Sequence, residues 1–140
     1  MEAERFGSKT LVHNYGHGGG GISLSWGTSL IASQQVLKQQ KRDVAVLGAG
    51  VMGITTALLL AQNGVDVTVY ASEFSPDTTS DIAAALWLPA SYVNRKTASP
   101  EFLAKDDYIA RLSFSRFLPY VNHPEYGVYW HRYHYLNNKV

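Results

Sequence analysis

The chain has 140 residues, 46% of them hydrophobic and 16% charged, which predicts one domain with a hydrophobic core and excludes a disordered tail. A net charge of +1 gives no indication of a nucleic-acid partner, and the lack of cysteine excludes a disulfide framework and thiolate chemistry. No apolar stretch approaches the roughly 20 residues that span a bilayer, and the first residues lack the apolar segment of a signal peptide. We therefore expect a cytoplasmic protein, with neither a membrane nor a nucleic acid as partner.

The first forty residues contain a predicted strand, a glycine run and a predicted helix. Residues 5–13 include the β-forming run "TLV" and are expected to form one strand of the main sheet. The glycine run "GHGGGGIS" follows, and Ser23 or Ser25 is expected to cap a helix that ends near residue 40. Glycine costs about 1 kcal/mol per residue in a helix, so the run indicates close approach of a planar ligand to the backbone; a disordered linker is the alternative.

The segment "DVAVLGAGVMGITTALLLAQNGVDVTVYA" predicts a strand, a helix and a second, parallel strand. Residues 44–47 are the first strand and residues 65–70 the second. The helix between them, Val51–Gln62, is apolar on nearly all sides and is expected to be buried. This βαβ unit of about 30 residues is the context in which a glycine motif at its first turn indicates nucleotide binding.

That glycine motif is G-x-G-x-x-G, formed by Gly48, Gly50 and Gly53. The first glycine permits a tight turn, and the second lets a pyrophosphate approach the helix N-terminus, where free N–H groups favour an anion. The third glycine lets the helix and strand pack closely. The alternative is a turn with no ligand. At the end of the second strand, where NAD sites carry an acidic residue, the chain has Ser72 and Glu73, which weakens an ordinary NAD-binding interpretation.

A hydroxyl-rich loop, "DTTSD", follows the second strand. Its three consecutive hydroxyl side chains could hold a phosphate, or could cap residues 82–87, and the residues leave both interpretations open. These side chains are Thr78, Thr79 and Ser80.

The remaining chain predicts a helix and an aromatic strand. Ser99 followed by proline is a typical helix start, and this helix should end near residue 118. Residues 125–136 alternate and are expected to be a strand, which places His131 and His134 on opposite faces and argues against a metal site. The aromatic and basic mixture in residues 126–135 favours core packing over stacking on nucleic-acid bases.

Three stretches, "VLGAGVMG", "VTVYA" and "FSPDTTSDIAAALWLP", together resemble the amino-terminal pattern of the D-amino-acid oxidase family, FAD enzymes that include the D-aspartate oxidases. The stretch "SFSRFLPYVNHPEYGVYW" is similar to the next segment of the family, more loosely. "HNYGHGGGGISLSWG" resembles the family's carboxy-terminal signature, and "SLIASQQVLKQQ" resembles its last helix. The carboxy-terminal signature thus precedes the amino-terminal one, which is the order of a circular permutation.

This resemblance divides one FAD-binding domain of residues 1–140 into two parts. Residues 1–40 resemble the family's carboxy-terminal segment and residues 41–140 its amino-terminal segment. The region that joins them in the family, with the substrate domain and its carboxylate-binding arginine, has no counterpart here. The resemblance therefore implies FAD binding and gives no catalytic residue.

The resemblance also implies which residues contact FAD. Those of the pyrophosphate turn are Gly48, Gly50, Val51, Met52 and Gly53. Those near the ribose and its phosphate are Ser72 and Glu73, where the family has an Asp-Arg type pair, and those of the hydroxyl cradle are Thr78, Thr79 and Ser80. Those along the flavin edge are Ala84, Ala85 and Leu86, and those of the loop at the pyrimidine side are Gly18, Gly19, Gly20, Gly21, Ile22 and Ser23.

The sequence as a whole predicts an α/β protein: a Rossmann-like FAD-binding domain with a central parallel sheet, permuted and truncated. Its implied function is the FAD-binding part of a D-amino-acid oxidase-like flavoprotein, completed by a complementary chain or by self-association. The family chemistry is oxidative deamination of D-amino acids with release of peroxide; by the same resemblance a peroxisomal location is an alternative. Other interpretations are an active oxidase, a structural or interaction domain without cofactor, and an NAD-binding domain.

Overall fold

A computed structural model describes residues 2–88 and 93–134 of the chain. It shows a mixed α/β protein with two small sheets, three helices and two short 3-10 turns among these residues. The strands are β1 (Glu2–Phe6), β2 (Lys9–His13), β3 (Asp43–Leu47) and β4 (Asp66–Tyr70). The helices are α1 (Gly21–Leu37), α2 (Val51–Gln62) and α3 (Pro100–Phe117), and the 3-10 turns are Leu118–Tyr120 and Pro124–Tyr126.

The predicted βαβ unit is confirmed. Strands β3 and β4 are parallel and in register from the pair Asp43 and Asp66 to the pair Leu47 and Tyr70, with α2 as the connection. Asn63 is the C-cap of α2, and Gly64 follows at a φ of +75°, the left-handed conformation that suits glycine after a helix. Valine side chains on one face of the strand pair are partly buried, and α2 packs on this pair.

The prediction of one strand over residues 5–13 in the same sheet is wrong. These residues belong to an antiparallel hairpin, in which β1 pairs with β2 and neither strand pairs with β3 or β4. The turn consists of Gly7 and Ser8, and Gly7 has a φ of +62°. A two-residue loop that begins with a glycine of positive φ suits the twist of a hairpin, so the local turn chemistry selects pairing within the segment. The parallel sheet therefore has two strands among the described residues.

Helix α1 packs against both α2 and α3, and small side chains allow this. Its buried residues are mostly small or hydroxylic: Ser23, Leu24, Ser25, Gly27, Thr28, Ser29, Ala32 and Ser33. Their hydroxyls are satisfied locally, as when Ser25 donates to the Ile22 carbonyl at 2.9 Å and Ser33 to the Leu30 carbonyl at 2.9 Å. The apolar core here consists of Leu24 on α1 with Ile109 and Ala110 on α3.

The start of α1 also differs from the prediction. The helix begins at Gly21 with Gly20 as N-cap, so Ser23 and Ser25 lie inside it, and it ends at Leu37. Helix α2 matches its predicted bounds, but Ile54 and Leu58 are exposed because the described residues leave that side of the helix uncovered.

Helix α3 begins as predicted, because the Ser99 hydroxyl accepts a hydrogen bond from the Phe102 N–H at 3.2 Å. The aromatic segment that follows is not the predicted strand. The described residues from Gly127 to His134 form no ladder, and only an isolated bridge joins Val121 and Val128. A strand needs a partner to satisfy its N–H and C=O groups, and none of the described residues supplies one. Residues 135 and 136, the end of the predicted strand, lie outside the described residues.

Gly27 lies at a close contact between α1 and α3. Its N–H donates to the Ser113 hydroxyl at 2.7 Å, and a Cβ at this position would meet the Ile109 carbonyl oxygen and lie 2.8 Å from the Ser113 hydroxyl. Because one of these atoms is backbone, the two helices would have to separate to accept a side chain.

We predict that Gly27→Ala lowers the free energy of unfolding by about 1–3 kcal/mol, the usual cost of overpacking a buried contact. Gly21→Ala is the matched control, since Gly21 also lies in α1 and a Cβ there meets open space. Urea unfolding of the two variants and the parent chain measures the difference. Equal stability of the two variants would contradict the close contact.

Candidate functional site: two glycine motifs joined by one segment

The turn between β3 and α2 has the geometry that the glycine motif predicts. Gly48 has a φ of +108°, and its N–H donates to the Tyr70 carbonyl at 2.8 Å, which ties the turn to the end of β4. A Cβ on Gly53 would collide with the Gly48 carbonyl, so only glycine lets the first turn of α2 lie on the loop. Gly48 and Gly53 therefore have the structural roles expected of them.

The N-terminus of α2 is capped by a hydroxyl from the loop after β4. The Val51 N–H donates to the Ser80 hydroxyl at 2.9 Å, and a Cβ on Gly50 would lie 3.1 Å from the same oxygen. The Ser80 hydroxyl thus lies at the N-terminus of α2, where free N–H groups and the helix dipole attract an anion. The structure brings together Gly50, Val51 and Ser80 from the predicted set.

The three predicted hydroxyls have different environments. Thr78 is buried and donates to Asp81, Thr79 is exposed, and Ser80 lies at the N-terminus of α2. Asp81 accepts from the Thr78 hydroxyl, from the Thr78 N–H at 3.0 Å, and from the Ser75 hydroxyl at 2.7 Å. Residues 82–87 form no helix, so the alternative that these three hydroxyls cap a helix at residues 82–87 is wrong.

The glycine run lies against the segment that follows these hydroxyls. A cavity of about 200 Å³ separates the two, with Gly19, Gly20, Ile22 and Ser23 on one side and residues 83–86 and Leu88 on the other. The Ser23 hydroxyl donates to the Leu86 carbonyl at 3.1 Å and accepts from the Leu88 N–H at 3.3 Å.

Left-handed backbone occurs on both sides of this cavity, in the glycine run and at Ala85. Gly18 and Gly19 have φ values of +55° and +89°, and Ala85 has a φ of +54°. Left-handed backbone is uncommon outside glycine and often marks a functional segment. Among the predicted flavin-edge residues, Ala84, Ala85 and Leu86 all line the cavity.

The cavity at Ser23 includes the glycine run but not the Gly48–Gly53 turn. Gly50 and Thr79 are not among the described residues that line the cavity at Ser23. The two motifs are instead joined by one stretch of chain, which contacts Val51 through Ser80 and contacts Ser23 through Leu86.

Asn14, which the sequence analysis did not single out, links three parts of the chain. Its side-chain N–H group donates to the Ser29 hydroxyl of α1 at 3.4 Å and to the Thr56 hydroxyl of α2 at 3.3 Å. Both hydroxyls donate in turn to the Met52 carbonyl, at 3.3 and 2.7 Å. This network holds the start of the glycine run against the first turn of α2, and its only signal in the sequence was the asparagine of "HNYGH".

Other predicted residues lie apart from these contacts. Ser72 and Glu73 are exposed beyond the end of β4. His131 and His134 are exposed in an irregular segment, and the described residues hold no group of three or more His, Cys, Asp or Glu suited to a metal ion. Among the same residues, no helix has the length and apolar character needed to cross a bilayer.

The prediction that the aromatic residues after position 125 pack in the core is wrong. Tyr129, Trp130 and Tyr133 are about half exposed or more, although the Trp130 ring contacts Phe114 with centroids 6.2 Å apart. The described residues place no second layer over them, so aromatic content alone did not decide burial.

Comparison with known proteins gives an independent assignment. A family model described as FAD dependent oxidoreductase matches residues 43–133, about two thirds of the chain. The match begins at the first residue of β3 and so includes the glycine turn, the hydroxyl loop and α3. The hairpin, the glycine run and α1 lie outside it. No solved structure gives a significant match to this chain.

Three curated relatives match shorter stretches. A D-aspartate oxidase from Homo sapiens is 43% identical over 51 residues, 35% of this chain and 15% of that protein. A D-amino-acid oxidase from Streptomyces coelicolor is 45% identical over 47 residues, 34% of this chain and 15% of that protein. A D-amino acid oxidase from Dugesia ryukyuensis is 44% identical over 48 residues, which are 33% of this chain and 14% of that protein. The matched stretch thus spans about one seventh of the length of each relative.

Burial of His17, within the glycine run, lowers its pKa below the ordinary value of 6.5. A depressed pKa means that the unfolded chain binds the proton more tightly, so stability is fully present above pH 6.5 and falls as the pH drops through that value. We predict that His17→Gln removes this part of the pH dependence. Thermal unfolding of the parent chain and of His17→Gln at pH 8 and pH 5.5 measures this pH dependence. If both proteins lose the same stability between pH 8 and pH 5.5, the assignment to His17 is contradicted.

Proposed function

This chain belongs to the FAD dependent oxidoreductase family, and we propose that it is the FAD-binding part of a D-amino-acid oxidase-like flavoprotein. FAD is the cofactor that membership of the family implies. The observation that carries the proposal is the Gly48–Gly53 turn at the N-terminus of α2, joined by one segment of chain to the Gly18–Ser23 run. The three curated relatives, all named as oxidases of D-amino acids or D-aspartate, support the same assignment.

The residues at the turn fit a pyrophosphate. Gly48 adopts a conformation that favours glycine, and the N–H groups of the first turn of α2 have no carbonyl partner within the helix. The dipole of a helix of 12 residues adds to the attraction for an anion at this end. We propose that Gly48, Gly50, Val51, Met52 and Gly53 hold the pyrophosphate, with Thr79 and Ser80 beside it.

The second set of contacts is proposed for the flavin. Six of the nine residues that line the cavity between the glycine run and residues 83–86 are glycine, alanine or serine, which permit close approach of a planar ring, and the other three are Ile22, Leu86 and Leu88. Ser72 and Glu73, exposed after β4, are proposed to face the ribose. The negative charge of Glu73 is unfavourable beside a phosphate, so its contribution to affinity is small or adverse.

We also propose that the chain order is a circular permutation in a Rossmann-like domain. Support comes from α1, which packs on α2 and α3 and so joins residues 1–40 to the family-matched part as one unit. The separate hairpin β1–β2 counts against the permutation, because the permuted order predicts that residues 5–12 join the sheet of β3 and β4. The proposal now depends on the sequence resemblance and on the packing of α1.

The chemical contribution of this chain is binding and orientation. When bound, FAD would supply the redox chemistry of the family, hydride transfer from a substrate Cα with reoxidation by oxygen. The amides of Gly19 to Ser23 and the N-terminus of α1 are proposed to orient the ring and to favour negative charge on it. No residue of this chain is assigned to the substrate carboxylate, and we propose that a complementary chain or self-association completes the site.

One observation favours a second candidate, a structural or interaction domain without cofactor. The Ser80 hydroxyl already satisfies the Val51 N–H, so the N-terminus of α2 does not require an anion. A visible absorption spectrum of the purified protein separates the two candidates, because bound flavin absorbs at wavelengths where the protein does not. Peroxide release from a D-amino acid then separates a binding domain from a complete oxidase.

We predict that Gly50→Val weakens FAD binding at least tenfold, about 1.4 kcal/mol, because the side chain takes the space of the pyrophosphate and presses on Ser80. Ala104→Val on α3 is the control, since it adds a branched side chain at an exposed helical position. Flavin titration by fluorescence measures both affinities. Unchanged affinity in Gly50→Val would show that the nucleotide does not lie on this turn.

A further inference from the structure

The segment that joins the two glycine motifs, residues 75–88, is called here the bridge segment. It lacks helix and strand, and residues 82–87 are exposed. Side-chain hydrogen bonds therefore fix its position: Ser80 with the Val51 N–H at one end, and Leu86 and Leu88 with Ser23 at the other. A third set of hydrogen bonds lies within the bridge segment, around Asp81.

Asp81 ties the first turn of the bridge segment together. One carboxylate oxygen accepts from the Ser75 hydroxyl at 2.7 Å, and the other accepts from the Thr78 hydroxyl at 2.6 Å and from the Thr78 N–H at 3.0 Å. The Asp81 N–H donates back to the Thr78 carbonyl at 3.0 Å. These hydrogen bonds fix the turn of residues 75–81, which includes Ser80.

We propose that Asp81 is a positioning residue that holds the bridge segment so that Ser80 reaches the N-terminus of α2 and the flavin-edge residues reach the glycine run. The role in cofactor binding rests on the proposed function. The role in fixing the turn does not, because it concerns contacts within the chain alone.

The charge of Asp81 and its hydrogen bonds predict opposite effects on FAD affinity when this carboxylate is removed. A negative charge near a bound pyrophosphate repels it, so loss of the charge alone would strengthen FAD binding. Loss of the three accepted hydrogen bonds would free the turn, and binding would then carry the entropy cost of ordering it again. The hydrogen bonds from Thr78 and Ser75 also lower the pKa of Asp81 below the ordinary value of 3.8, so the carboxylate is ionised and accepts them at neutral pH.

The chain provides a matched control at Asp77. It lies in the same turn and is exposed like Asp81, and its backbone N–H donates to the Phe74 carbonyl, but its carboxylate accepts no hydrogen bond from the described residues. Asp77→Asn and Asp81→Asn therefore remove the same charge from the same segment, and only the second replaces a hydrogen-bond-accepting oxygen with an NH2 group, which cannot accept from Ser75 or Thr78.

The experiment compares FAD affinity of the full chain with these two substitutions. Asp81→Asn should bind FAD roughly fivefold more weakly, the order of loss expected for hydrogen bonds to an exposed charged group. Asp77→Asn should bind as the parent chain does or more tightly. Equal affinities of the two variants, or tighter binding by Asp81→Asn, would overturn the positioning role.

Amide hydrogen exchange without FAD provides a second measurement. The Val51 and Thr78 amides should exchange faster in Asp81→Asn than in Asp77→Asn, and unchanged exchange would overturn the proposal. If the parent chain binds no FAD, the proposed function fails while this measurement still tests Asp81. Should Asp81→Asn not fold, Ser75→Ala removes one of the hydrogen bonds and should speed exchange at Thr78, whereas unchanged exchange would count against the role.

Discussion

The close packing of α1 against α2 and α3 is the contact on which the remaining structure depends. The helices can pack this closely because most of the buried positions of α1 are glycine, alanine, serine or threonine, where larger apolar side chains are common in buried helices. The cost of burying hydroxyls is offset by their bonds to carbonyl groups, within α1 and across to Met52 on α2. Since the glycine run leads directly into α1 and the glycine turn leads directly into α2, this packing also sets the distance between the two motifs. A larger side chain at Gly27 would act on the other contact of α1, the one with α3 at Ile109 and Ser113.

The parts of the fold that could be predicted are those whose signals are local. The turn residues, the apolar periodicity and the cap of the β3–α2–β4 unit all lie within 30 residues, and Ser99 caps α3 three residues away. The hairpin was not predicted because its turn consists of only two residues, Gly7 and Ser8. The strand-forming residues on both sides of this turn suit a continuous strand as well as a hairpin. The aromatic segment after Pro124 was missed because strand formation depends on a partner, which a pattern in one segment cannot supply.

The candidate site shows the same division. Gly48 and Gly53 act as predicted, since their roles follow from backbone conformation and from contact across one turn. Asn14 and Asp81 received no role from the sequence, because an asparagine or aspartate in a loop has many local uses and its actual partners lie up to 42 residues away. The hydroxyl loop was identified as a group, but only the structure shows that Thr78, Thr79 and Ser80 face different surroundings.

The exposed face of the β3–β4 pair relates the chain to its longer relatives. Parallel strands are normally covered on both faces, yet Leu47 is 75% and Tyr70 57% exposed. The matched stretch spans about 15% of the human and Streptomyces relatives, so those proteins have ample chain to cover such a face. An uncovered sheet affects the site directly, because Gly48 follows β3 without a gap and Ser72 lies two residues after the end of β4. In the proposed function, whatever covers Leu47 and Tyr70 would also stabilise the ends of β3 and β4 that carry the pyrophosphate turn, so covering the sheet and ordering the nucleotide site would favour one another.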